Sequence, residues 1–308
     1  MTSTAATGSS ARTTPVEQPG VTWMETVGAL VEMTKYRLSS LVVVTAGAGF
    51  VLAPGPVDWL GFTLAMLGTV LAAFGANAFN QCLESKRDIN MDRTRDRALP
   101  SGRVSLPLAV LWSLSLLFGG VAILALSANA LAAGLALLVG VLYVGAYTPL
   151  KPRTSLNTLI GAVCGAIPPM IGWVAASGAI AMGAWVLFGI LFAWQIPHFL
   201  AIDWFHRDDY ARGGFCMASS VDRSGQFSAH QAVLYSLVLI PISILAPAAG
   251  IGGPLYLVGA LVLGTGFLGL SIVLYVQRTR LAARRLFFGS LAYLPLLLAL
   301  LVLDPTSA

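Results

Sequence analysis

The chain has 308 residues, 57% of them hydrophobic and only 10% charged, with a formal net charge of +5. A soluble domain carries roughly 25% charged residues, so this composition excludes an ordinary water-soluble fold and points to lipid as the solvent. Apolar stretches able to cross a hydrocarbon core, which takes about 20 helical residues, recur along the whole length, so a single cleavable signal peptide does not account for them.

Residues 1–20 are small, polar and broken by Pro15 and Pro19, and read as a disordered N-terminal tail. Residues 21–308 read as one polytopic domain. Apolar helices are predicted near 39–54, 59–80, 106–126, 129–149, 157–176, 181–202, 232–249, 254–277 and 287–303. The Leu/Ala/Gly-rich runs lack period-two alternation, and hydrocarbon tolerates only helices or closed barrels. The expectation is an all-α membrane protein, a bundle of about nine transmembrane helices. Its 32 glycines suit close helix approach in lipid.

With these spans, Arg12, Lys35, Arg37, the Lys86–Arg103 run, Lys151, Arg153, Arg207, Arg212, Arg223 and the Arg278–Arg285 run all fall on one side. The positive-inside rule makes that side cytoplasmic, with the N-terminus, and an odd helix count keeps the bases together. The net positive charge is thereby explained by topology and calls for no nucleic-acid partner.

The second helix runs into NAFNQCLESKRDINMDRTRDRALPSGRVS, residues 77–105, where Asn80, Glu84 and Asp88 stand four apart. If the helix continues past the membrane edge, i, i+4, i+8 spacing sets the three oxygen-bearing side chains along one face. Hard oxygen donors suit Mg²⁺ carried with a diphosphate, and the neighbouring Arg93 and Arg97 suit the phosphate oxygens. Asp88 reads as lying in a surface loop. Charge runs are usually solvated faces, but a second cluster, residues 194–225, repeats the composition: Asp203, Asp208 and Asp209 accompany Arg207 and Arg212, and Trp204, Phe205 and Tyr210 are expected at the interface. Between them, Lys151 and Arg153 occupy a short loop after Tyr147, so three loops are expected to roof one cavity. Cys82, Cys164 and Cys216 fit no zinc spacing and are given no catalytic role.

At these residues the sequence resembles the protohaem IX farnesyltransferases, a branch of the UbiA-type intramembrane prenyltransferases. The resemblance rests on Asn80, Glu84 and Asp88 continued by Met91, Arg93, Thr94 and Arg97; on Y-T-P-L-K at Tyr147–Lys151; on G-A-I-P-P at Gly165–Pro169; and on W-Q-x-P-H-F at Trp194–Phe199, followed by Asp209 and Tyr210. Glu84 where the superfamily usually has Asp, Ala98 where proline is common, and Tyr36 inside a usual K-P-R depart from the pattern.

The resemblance implies transfer of a farnesyl group from farnesyl diphosphate to a vinyl group of haem B, releasing diphosphate and giving haem O, with Mg²⁺ as cofactor. It implies Asn80, Glu84, Asp88 and Asp209 as metal-binding and catalytic, Asp208 beside them, and Lys151 as catalytic. Arg93, Arg97, Arg207, Arg153 and Tyr147 are implied at the substrate, and His198 at the haem. The expected setting is the inner (plasma) membrane with the site facing the cytoplasm, and the downstream haem A synthase or terminal oxidase as partner. Tyr143, Tyr147, Trp173 or Trp194 could face an allylic cation. The alternatives are a prenyltransferase with another aromatic or tetrapyrrole acceptor and, from a different class, a polytopic transporter; the latter fits poorly with charges gathered at helix ends.

Overall fold

The computed structural model describes residues 22–305; the tail assigned to 1–20 lies outside them. The regular elements among the described residues are all helices, without strands. Eight segments are long and apolar enough to cross a membrane: Trp59–Asp88, Leu106–Ser127, Ala130–Leu150, Asn157–Ser177, Met182–Phe205, Gln226–Ala248, Pro254–Gln277 and Arg280–Leu303. A shorter apolar helix, Ser39–Leu52, precedes them.

In chain order the helices are α1 (Trp23–Met33), α2 (Tyr36–Leu52), α3 (Trp59–Asp88), α4 (Leu106–Ser127), α5 (Ala130–Val141), a π-helical turn (Leu142–Tyr147), α6 (Thr148–Leu150), α7 (Asn157–Ala166), α8 (Pro168–Ser177), α9 (Met182–Phe205), α10 (Arg207–Arg212), α11 (Ala218–Val221), α12 (Gln226–Ala248), α13 (Pro254–Gln277) and α14 (Arg280–Leu303). Local chemistry sets several ends. Asp58 caps α3 by accepting from Leu60 N, Asn129 caps α5 through Ala132 N, and Thr279 caps α14 through Ala282 N. Pro168 and Pro169 lack the N–H groups that would continue α7, so the chain restarts as α8, which ends at left-handed Gly178.

Three expectations need correction. α3 does not stop at residue 80 but runs to Asp88, and Asp88 is wholly buried rather than placed in a surface loop. α12 and α14 begin at Gln226 and Arg280, so Arg280, Arg284 and Arg285 ride on a helix instead of a loop. Trp204 is not an interfacial anchor: it is buried, and its indole N–H donates to Arg278 O.

α1 was not foreseen. It carries a capping box, Thr22 with Glu25, buries Ala29 and Met33 against Ala78, Ala98 and Val104, and is tied down by Gln81 Nε2 donating to Met33 O and by an Arg103–Glu32 ion pair at 2.8 Å.

Among the described residues the bundle has two large apolar cores, beside smaller clusters at α1 and around Phe215. One centres on α9, α12, α13 and α14 and also takes residues from α2, α7, α8 and α11; the other centres on α2, α3, α4, α5 and α8. α2 crosses α8 with backbones nearly touching: a Cβ on Gly172 would lie 1.8 Å from Ala46 O, and one on Gly49 would lie 2.0 Å from Pro169 O. Without a hydrophobic drive between helices in lipid, this close packing is what holds such a pair. Large apolar side chains such as Leu111, Phe118, Leu126 and Val262 cover the outside, a surface that suits lipid and not water.

Candidate active site

The last turns of α3 present Asn80, Glu84 and Asp88, all buried, at the charged end of the bundle. Burial of two carboxylates demands partners, and each comes from a different segment. Lys151, just after α6, donates to Glu84 Oε1 at 2.8 Å, and Arg97 reaches Asp88 Oδ2 at 2.8 Å. Asn80 accepts from Lys35 Nζ at 3.1 Å and donates through Nδ2 to Thr148 Oγ1 at 3.0 Å. Thr94 Oγ1 donates to the Asp88 carbonyl.

The cations feel these surroundings. Burial opposes the Lys151 charge, but Tyr147 and Glu84 more than offset it, so its pKa stays above the ordinary lysine value. Lys35 is pushed down to about 7, first by burial and then by the nearby Arg97.

Metal chemistry can be tested on the donors themselves. Among the described residues, no three His, Cys, Asp or Glu side chains converge on a point. The Asn80, Glu84 and Asp88 donors are all oxygens, however, and Asp88 Oδ1 is buried without a hydrogen-bond partner. An orphaned carboxylate oxygen beside a second carboxylate fits a hard divalent cation that arrives with oxygen ligands of its own.

The three expected loops do meet above this cluster. Asp209 Oδ1 accepts from Asp92 N at 3.1 Å, and Arg212 bridges Asp209 and Asp92, each at 2.7 Å. Arg87 donates to the carbonyls of Gly213 and Gly214. Cys216 N donates to Lys151 O at 2.7 Å, and Asn157 Nδ2 donates to Cys216 O. Asp203, buried, accepts from Ser219 N and Oγ and fixes α11 to the end of α9.

The remaining predicted residues are spread out. Arg93 is exposed, over the Tyr210 ring at 5.4 Å, and shares with Asp208, Asp209, Arg212 and Arg280 an open charged cleft of about 370 Å³. Asp208 pairs with Arg280, and Arg207 lies over Trp204 at 4.6 Å while pairing with Asp208. Arg153 is exposed and makes no ion pair among the described residues. Of the cysteines, Cys82 and Cys164 are buried and all three are free.

Beneath the Asn80–Glu84 level lies a mostly apolar cavity of about 260 Å³. Its wall takes Val42 from α2, Asn77 from α3, Leu294 from α14, and Trp194 and His198 from α9. Tyr143 and Tyr147 stack at 5.1 Å on this wall, placed by the π-helical turn, and Lys151 Nζ sits 5.4 Å from the Tyr147 ring. His198 is packed on Trp194 and Phe287, with Nδ1 2.6 Å from Ser290 Oγ. Ligand cavities run about 300–1,000 Å³, so this one matches part of a chain-like apolar molecule better than a whole tetrapyrrole.

Sequence reasoning missed Lys35, Asp92 and Phe215 as parts of this assembly. Lys35 had two local signals, its place just before the first apolar run and its place in the Lys35-Tyr36-Arg37 stretch that departs from K-P-R. Asp92 and Phe215 had none, since their partners Asp209 and Lys151 lie far away in sequence, on other segments.

The model of the UbiA prenyltransferase family matches residues 41–294, and the chain belongs to that family. A human protein named protoheme IX farnesyltransferase, mitochondrial, is 45% identical over 275 residues, 89% of this chain; the chain spans 62% of that relative's length. A protein of Solibacter usitatus named protoheme IX farnesyltransferase is 40% identical over 284 residues, 89% of this chain and 97% of its own. Among solved structures, one of digeranylgeranylglyceryl phosphate synthase superposes with a TM-score of 0.77 at 17% identity, covering 91% of this chain and 99% of that one. A UbiA homologue from Archaeoglobus fulgidus bound to DMAPP and Mg²⁺ gives 0.62 at 12% identity, covering 89% and 99%. These two show the fold.

Proposed function

We propose that this member of the UbiA prenyltransferase family transfers a farnesyl group from farnesyl diphosphate to the outer carbon of a vinyl group of haem B, while water adds its hydroxyl to the inner vinyl carbon and gives its proton to solvent, releasing diphosphate and giving haem O. The observation that carries the chemistry is the buried Asn80–Glu84–Asp88 face with Lys151 and Arg97 on it, set at the mouth of an apolar cavity. Relatives that bear the protoheme IX farnesyltransferase name, one of them matched over nearly its whole length, support the donor and acceptor. The same family membership favours this reading over transport.

Ionising an allylic diphosphate requires neutralising charge that grows on the leaving group as the C–O bond breaks. Lys151, Arg97 and Lys35 are placed to receive that charge, because each is already held against an acceptor that a diphosphate oxygen would replace. Asn80, Glu84 and Asp88 would hold Mg²⁺, with Asp209 and Asp208 of α10 in support. When bound, the ion supplies further charge neutralisation on the diphosphate. Magnesium in the DMAPP-bound Archaeoglobus fulgidus homologue is consistent with this.

The farnesyl chain would enter the cavity, where burying each CH₂ contributes about 0.8 kcal/mol. Tyr143 and Tyr147 would face the allylic cation with their stacked rings. His198, on the same wall, would contact the acceptor. Asymmetric charge supports a cytoplasmic site in the plasma (inner) membrane. An enzyme that oxidises the product further, or a terminal oxidase, would then take it up.

The test is mass spectrometry of purified protein in detergent with haem B, farnesyl diphosphate and Mg²⁺, against an EDTA control. A metal-dependent mass increase of haem B matching haem O supports the reading. Diphosphate release with other acceptors, and none with haem B, would leave the prenyl transfer and replace the acceptor.

A further inference from the structure

The Glu84–Lys151 pair lies directly beneath an apolar cap. Phe215, 3% exposed, lies over Lys151 with Nζ 4.6 Å from the ring centroid, and it packs with Met91 and Met217, which are equally buried, and with Tyr210. The backbone on either side of Phe215 is held at several points, from outside the loop and by its own turn. Arg87 holds the carbonyls of Gly213 and Gly214, and Gly214 takes the left-handed conformation (φ 66°) that turns the chain inward. Phe215 N donates to Tyr210 O, Cys216 is held on both sides by Lys151 O and Asn157, and Ser219 is held by buried Asp203.

A ring at this place presents no hydrogen-bonding group to the ion pair and shuts bulk water out from above it. For a reaction that forms an allylic cation, that is a choice between two products.

We propose that Phe215, with Met91 beside it, is a specificity-determining residue: it excludes water from the leaving-group site and so commits the farnesyl cation to the acceptor. The proposal rests on the prenyl-transfer reading above. In the side reaction the allylic C–O bond breaks with its electron pair leaving on diphosphate, a water oxygen bonds to the allylic carbon, and the water proton passes to solvent, giving farnesol. Opening the cap admits that water.

The experiment uses the full chain purified in detergent, radiolabelled farnesyl diphosphate and Mg²⁺ in H₂¹⁸O, with and without haem B, and counts farnesol, diphosphate and prenylated haem. Phe215→Ala should raise the farnesol share of total turnover about tenfold, with ¹⁸O in the farnesol. Phe215→Leu, which keeps an apolar cover, should stay near the wild-type share. Met91→Ala should move in the same direction as Phe215→Ala and decides the matter if that variant does not fold. An unchanged farnesol share in folded Phe215→Ala or Met91→Ala, or a proportional loss of both products, overturns the proposal. If wild type prenylates no haem while Phe215→Ala still accelerates farnesol release without acceptor, the cap stands and only the acceptor falls.

Discussion

Lys151 Nζ and Glu84 Oε1 meet at 2.8 Å across two segments separated by 67 residues, with only 12% and 6% of their side chains exposed. A pair so enclosed is half structural and half poised, since removing either partner strands the other charge.

Lys151→Met should therefore lower stability by about 3–5 kcal/mol, and the double variant Lys151→Met/Glu84→Met should recover most of it. Thermal unfolding in detergent, followed by tryptophan fluorescence, reads both. Turnover should be absent in each; a double variant no more stable than the single would contradict the pairing.

Asp88→Asn keeps the shape beside Arg97 while removing the carboxylate charge. The variant should fold and lose turnover by a factor on the order of 10²–10³. Asp88→Ala is the poorer probe, because Asp88 is fully buried and its loss also frees Arg97. Wild-type turnover in Asp88→Asn would remove Asp88 from the metal set.

Lys35→Met should leave stability unchanged or slightly raised, since burial and Arg97 oppose the ammonium, and its direct hydrogen bond is to the Asn80 amide oxygen. It should raise KM for farnesyl diphosphate by about ten- to a hundredfold, the worth of one charge-assisted hydrogen bond. Steady-state kinetics over a donor series decides, and an unchanged KM would place Lys35 outside the diphosphate site.

Gly172→Ala puts a methyl 1.8 Å from Ala46 O, with backbone on both sides, and should cost about 1–3 kcal/mol or more as α2 and α8 separate. Gly119→Ala meets nothing within 4 Å and sits mid-helix in α4, so it should be neutral or stabilising by about 0.5–1 kcal/mol. Equal unfolding midpoints would refute the close crossing.

Legibility from sequence followed range. The i, i+4, i+8 spacing of Asn80, Glu84 and Asp88 showed one face because the periodicity is local, and α3 extends far enough to realise it. Lys151 was reachable through its motif. The pairing of Arg212 with Asp92, or Phe215 with Lys151, depends on how loops fold back over the bundle, which no window of sequence contains. α1 escaped for a different reason: at 11 residues it is too short to read as a span, although Thr22-x-x-Glu25 is a helix-start signal that could have revealed it.

The π-helical turn at Leu142–Tyr147 acts as a vernier. A single extra residue in a turn advances everything after it by about 100° around the axis relative to an unbroken α-helix. Upstream of the turn the segment answers to lipid and to its neighbours α4 and α8; downstream, Thr148 and Lys151 answer to Asn80 and Glu84. The offset lets one rod satisfy two angular demands that a regular helix could not meet together. A one-residue deletion there would leave every side chain in place by identity and turn the lysine away from its carboxylate.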